Sequence, residues 1–150
     1  DGTIDLKYGS LYIGDDGQIN GKFNIDMSSI SVSDLQGGGK KSLERHLKNE
    51  DFFDVNNFPI ATLEFSSRTE NIIKNELSLE SELTVKNITN PLKFSAQIIE
   101  ASPQLKIKAD IVFDRSIYDV RYGSGKFFEN LGDRLILDEV QIGAILLFNL

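Results

Sequence analysis

The sequence has no cysteine and a single histidine. The first absence excludes a disulfide framework, a thiolate metal site and a cysteine nucleophile, although it assigns no redox compartment. Basic residues are also scarce. Sixteen Lys and Arg stand against 23 Asp and Glu, for a formal charge of -7, so nucleic acid or an anionic lipid surface meets the wrong sign. No apolar run approaches the roughly 18 to 20 residues of a membrane-spanning helix, and no basic-then-apolar opening resembles a signal peptide. The chain starts at Asp1 rather than at methionine, as expected of a processed, exported protein and equally of a trimmed one. Residues 1–150 are expected to form one domain whose core needs neither disulfide nor metal.

What the sequence has instead is alternation. Ile19, Gly21, Phe23, Ile25 and Met27 interleave with Lys22, Asn24 and Asp26, and Leu77, Leu79, Ser81, Leu83 and Val85 interleave with Glu76, Ser78, Glu80, Glu82 and Thr84. A period of two with one dry face is the mark of a half-buried strand. Four further runs repeat it: Ala61 to Phe65, Leu92 to Ile98, Leu105 to Phe113, and Val140 to Phe148. Turn residues separate them, with Asp16-Gly17, the stretch NITNP at 87–91 and ASPQ at 101–104. Short connections imply antiparallel neighbours. Only Lys40 to Asn49 reads as a helix, with Leu43 and Leu47 at i and i+4 and the flexible triplet Gly37 to Gly39 ahead of it.

One short helix cannot cover so many apolar strand faces, so the sheet must cover itself. Long meandering strands with tight turns favour an all-β, antiparallel, lipocalin-like barrel over a sandwich. Ala61, Ala96, Ala109 and Ala144 put one small residue on each of four strands. In a barrel of about eight strands that leaves room for one small ligand, or else it accommodates a taper or a close sheet contact.

Catalytic patterns are weak throughout. His46 and Glu50 lie at i and i+4 but lack a partner histidine, and a histidine at a helix end explains the pair better than a metal. In QGGGKKS, residues 36–42, Asp34 stands where a phosphate loop needs glycine and Lys41 intervenes before Ser42, so a hinge is expected. Asn87-Ile88-Thr89 fits the glycosylation triplet and is assigned no role. The carboxylates fall on wet strand faces or in turns, with nothing to converge any two. The apolar lining remains: Phe23, Ile25, Met27, Leu63, Phe65, Leu79, Leu83, Phe94, Ala96, Ile107, Ala109, Ile111, Phe113 and Ala144. Such a wall offers no catalytic group but can hold a hydrocarbon chain.

Three stretches, in order, resemble a known family. HLKNEDFFDVNNFPIATLEF from residue 46, LTVKNITNPLKFSAQI from residue 83 and FDRSIYDVRYGSGKFFENLGDRLILDEVQI ending at residue 142 are similar to the signatures of the YceI-like, polyisoprenoid-binding family. The resemblance implies a lipocalin-like barrel with a helical extension that encloses a long isoprenoid or fatty-acyl lipid, in an exported bacterial protein, periplasmic or secreted. It implies no catalysis and no cofactor. On this reading Phe52 and Phe53, and the second pair Phe127 and Phe128, belong to the closing end of the container, or anchor their loops onto the core. A pyrophosphate head at the mouth would look to Arg115, Arg121, Lys126 and Arg134, whose other reading is pairing with Asp114, Asp119 and Asp133. Family members usually carry another strand ahead of the point where TIDLKYGSLYI begins here. Without it the barrel has an unpaired edge, which invites a seam or a partner chain such as a second copy.

The expected function is therefore to sequester or carry a long-chain amphiphile. The rivals are a structural or protein-interaction module with a filled core, and an enzyme acting on a lipid.

Overall fold

The computed structural model describes residues 1–149. The strands among them are β1 (Gly2–Ile13), β2 (Gln18–Val32), β3 (Ile60–Arg68), β4 (Ile72–Ile73), β5 (Glu76–Val85), β6 (Ile88–Glu100), β7 (Gln104–Asp114) and β8 (Glu139–Asn149), with one α-helix, α1 (Gly37–Lys48), after β2. Every alternating run of the sequence is a strand.

The strands form one sheet in the order β1-β2-β3-β5-β6-β7-β8, with β4 appended to β5. All neighbours are antiparallel. The sheet curls until side chains from its two ends meet: the rings of Phe23 on β2 and Phe148 on β8 lie 6.4 Å apart, edge to face. The architecture is the expected lipocalin-like barrel, but β1 and β8 are not paired in the sheet, so it is a half-barrel open along one side.

Small residues set the packing of the aromatic ones. Phe65 stands between Gly21 and Ser81 in register, and a Cβ on Gly21 would lie 2.4 Å from the Phe65 ring. Phe65 then stacks on Phe23 at 6.2 Å and meets Phe94 edge-on at 6.2 Å. Ser81, the one polar residue on the dry face of β5, gives its Oγ hydrogen to the Leu92 carbonyl at 2.7 Å. A buried hydroxyl is thereby satisfied without a water.

Strand polarity sends α1, the segment 49–59 and the segment 115–138 to one end of the barrel, and the tight turns after β1, β3 and β6 to the other. The helix starts three residues earlier than the sequence suggests, because Gly37 to Gly39 form its first turn instead of a hinge. First-turn N–H groups have no intrahelical partner in any case, which makes glycine tolerable there. What fixes the helix is Glu44, which accepts from the Val32 backbone N–H at 2.9 Å and from Ser31 Oγ at 3.1 Å.

The two loops at this end are pinned differently. In 49–59 the backbone folds back on the helix, with Phe53 N–H donating to Leu47 O and Val55 N–H to Lys48 O, and Phe52, Phe53 and Val55 are buried. In 115–138 the anchor is Arg115, 1 % exposed. Its guanidinium donates to the carbonyls of Val120, Ile136 and Leu137 and sits 3.2 Å from Asp138 and 5.0 Å from the centre of the Phe52 ring.

Candidate functional site: an apolar cavity inside the half-barrel

A cavity of about 800 Å³ runs the length of the barrel. At one end it is bounded by Ile13, Ile98 and Leu105, and at the other by Leu43 and Leu47 of α1 with Phe53. All the strand residues expected to line a container do so: Phe23, Ile25, Met27, Leu63, Phe65, Leu79, Leu83, Phe94, Ala96, Ile107, Ala109, Ile111, Phe113 and Ala144. The four alanines are not scattered. Ala96, Ala109 and Ala144 form one row across β6, β7 and β8, each opposite the next. Ala61 faces Ile25 on the other wall. Three small side chains side by side leave a trough in the wall where branched residues would fill it.

The residues expected at the closing end separate. Phe53 lines the cavity, whereas Phe52 lies behind it, 5.8 Å from the His46 ring and under the Arg115 guanidinium. Phe127 and Phe128 do not close the container. Both are exposed, held in a turn where their backbone N–H groups donate to the Ser124 carbonyl, with Phe127 beneath the Arg121 guanidinium at 4.9 Å.

The cations also stand away from the cavity. Arg121 pairs with Asp119, Lys126 with Asp114, and Arg115 with Asp138 rather than with a strand-end partner. Among the described residues no lysine or arginine lines the cavity, and its few polar groups are Asp1, Thr3, Asp5, Ser31 and Gln141. Three of the shifted ionisations lie at the end of β7 and in the segment that follows it. Burial depresses the Arg115 guanidinium against the opposing pull of Asp138 and Asp114, and raises the Tyr118 phenol. Burial also works to raise Asp114, but hydrogen bonds from Lys126 and Ser116 outweigh it and hold the carboxyl below its ordinary value. His46 packs edge-on against Tyr122 at 4.3 Å, with Nε2 buried and unbonded, and among the described residues no cluster of His, Asp and Glu could hold a metal ion.

A second depression, about 640 Å³, lies on the outer face around Lys22, Glu64, Glu80 and Glu82. Lys22 pairs there with Glu64 at 2.6 Å and Glu80 with Lys93 at 2.7 Å.

Part of the lining escaped the sequence. Ile4, Leu6 and Leu11 of β1 face the cavity, but register shifts between Thr3 and Asp5 and between Leu6 and Tyr8 break the period of two. Leu43 and Leu47 were legible as the apolar side of a helix, without any sign that this side faces the cavity.

A family model described as the YceI-like domain matches residues 1–146. Among solved structures, the chain is similar to BcnA of Burkholderia cenocepacia, with a TM-score of 0.73 at 19% identity, covering 93% of this chain and 82% of that one. It is also similar to the Campylobacter jejuni YCEI protein, with a TM-score of 0.71 at 14% identity, covering 99% of this chain and 84% of that one. No curated protein matches.

Proposed function

The chain belongs to the YceI-like domain family, and from that membership and the cavity we propose that residues 1–150 act as one non-catalytic unit that binds and carries a long-chain amphiphile of isoprenoid or fatty-acyl type. The observation that carries this reading is the apolar cavity of about 800 Å³, lined by inward residues of seven strands. Each methylene moved from water into such a lining contributes about 0.8 kcal/mol, so a long tail binds without many directional contacts. The alanine row supplies the path for the tail. With no cation in the lining, affinity rests on the tail, and the head lies outside the cavity, in solvent. A periplasmic or secreted location follows as an expectation from the family resemblance.

The test is mass spectrometry of the purified protein, native and then after solvent extraction. A stoichiometric isoprenoid or fatty-acyl compound supports the reading and names the cargo. A protein that is empty and also refuses such lipids when they are offered removes it in favour of an interaction module.

A further inference from the structure

Of the 17 large apolar side chains that stand exposed among the described residues, six fall in the segment 115–138. Four of these, Tyr122, Phe127, Phe128 and Leu135, are 44 to 52 % exposed and lie together. The turn after Ser124 carries the two phenylalanines. Ile136 N–H donates to the Gly123 carbonyl at 2.8 Å and brings Leu135 back beside that turn, where its Cδ1 would lie 3.2 Å from a Cβ on Gly125. Tyr122 continues the surface to α1 through its contact with His46. Scattered apolar side chains on a surface need no explanation, but a cluster of them marks a place where something binds.

The backbone under this cluster makes its hydrogen bonds within the segment. Phe127 and Phe128 N–H share the Ser124 carbonyl, Arg134 N–H donates to Leu131, Leu135 N–H to Gly132, and Lys126 N–H to Ser124 Oγ. The segment holds two 3-10 turns and no strand, so it offers no edge to which a peptide could add. Donors satisfied from within are also what a loop needs before it enters a medium without water.

Charge is distributed to suit the same surroundings. Segments 37–59 and 115–138, both at this end of the barrel, contain eight Lys or Arg and eight Asp or Glu. The whole excess of -7 therefore lies outside them. Arg121 lies over the Phe127 ring, and Lys41, Arg45, Lys48 and Arg134 make no salt bridge among the described residues. Long basic side chains beside an apolar cluster lay their stems along it and hold their charges at the level of lipid phosphates. At the opposite end the exposed Ile13, Ile73 and Ile99 stand on three different strands, with Asp15, Asp16, Glu70, Glu76 and Glu100 in or beside the turns. Carboxylates so placed keep that end away from phosphate headgroups.

We infer that the protein docks reversibly on a phospholipid bilayer through segment 115–138, with Phe127, Phe128 and Leu135 entering the interface and α1 lying against the headgroups. The cavity ends at Leu43, Leu47 and Phe53 on this side, so the docked molecule holds that end of the cavity toward the membrane. Docking stands on the exposed surface and not on the cargo. Three side chains and no acyl anchor give a weak hold, with a partition constant of about 10³ to 10⁴ M⁻¹, no stronger than that of a single myristoyl chain.

The probe is a large unilamellar vesicle of phosphatidylcholine, offered to delipidated protein. The chain has no tryptophan, so Phe128→Trp supplies a reporter in the cluster and Tyr12→Trp one at the opposite end. Vesicles are expected to shift the emission of the first to the blue and, when the lipid is brominated, to quench it about twofold or more. The second should not respond. Because insertion rather than charge attraction drives binding, salt at about 0.5 M should change the partition constant by no more than about twofold. Phe128→Asp combined with Leu135→Asp should weaken binding about tenfold or more, whereas Tyr12→Asp combined with Ile99→Asp, which adds the same charge at the opposite end, should not. All four positions are exposed, and thermal unfolding verifies that both variants fold. Ala109→Trp should dock as the unaltered protein does, so loss of cargo and loss of docking are read separately. Four results overturn the inference: no response of the Phe128→Trp reporter, an equal response from both reporters, binding lost at high salt, or burial of the cluster against a second copy, detected as concentration-dependent association without lipid.

Discussion

Ala109 is the direct cross-strand partner of Ala144, and on its other side of Ala96. This row is the narrowest part of the wall in side-chain terms, so a bulky residue there points into open space. Ala109→Trp is expected to abolish uptake of a fatty acid or isoprenoid while leaving the melting temperature within a few degrees, read by lipid titration and thermal unfolding. If the space were already filled, overpacking would cost about 1–3 kcal/mol and lower the melting temperature instead.

Arg115 holds three carbonyls and Asp138 at once. Arg115→Met strips all four of their partner in a buried site, and the loss is expected to reach about 3–5 kcal/mol in urea unfolding. Arg115→Lys should recover little of it, because one ammonium cannot reproduce the guanidinium fork. A loss below about 1 kcal/mol would show that the loop is anchored by other contacts.

Asp114 gives the loop end a pH dependence of known sign. Its carboxyl is held below the ordinary 3.8, so it favours the folded state above that value. The contribution drains away as pH falls through the lowered folded pKa. Asp114→Asn should therefore lower the urea midpoint at neutral pH, and the difference between the two proteins should shrink as pH falls below 3.8. An unchanged midpoint at neutral pH would show that the Lys126 and Ser116 contacts contribute nothing to stability.

Gly21 and Phe65 should behave as a coupled pair. Gly21→Ala places a methyl against a ring confined between Phe23 and Phe94, at an expected cost of about 1–3 kcal/mol. In a Phe65→Leu background the same change should be almost free, giving a coupling of about 1 kcal/mol or more in a double-mutant cycle. Additive effects would mean that the ring is free to move aside.

The strands were legible because a period of two survives in six runs, from Ile19 through Phe148, and the inward sets of those runs proved to be the lining. β1 was not assigned faces because its two register shifts reverse which residues point inward. The Phe pairs show a different limit. Phe52, Phe53, Phe127 and Phe128 look alike in sequence, yet only Phe53 reaches the cavity, since what separates them is a long-range arginine and the path of two loops. The alanine row lay in between: the residues stood out, but their alignment depends on register, which alternation alone does not specify.

Apart from the step from β3 to β5, which brackets the two-residue β4, each pairing joins strands that follow one another in the chain. The β4–β5 and β5–β6 turns are the tightest of these links, two residues each, with Lys74 and Asn75 at φ 52° and 64° and Lys86 and Asn87 at φ 51° and 59°, as the twist of a two-residue hairpin requires. Pairing by succession keeps loop-closure entropy low for a protein built almost wholly of strands. The sheet can therefore be laid down in the order of synthesis, each new strand finding its partner already in place as it leaves the ribosome.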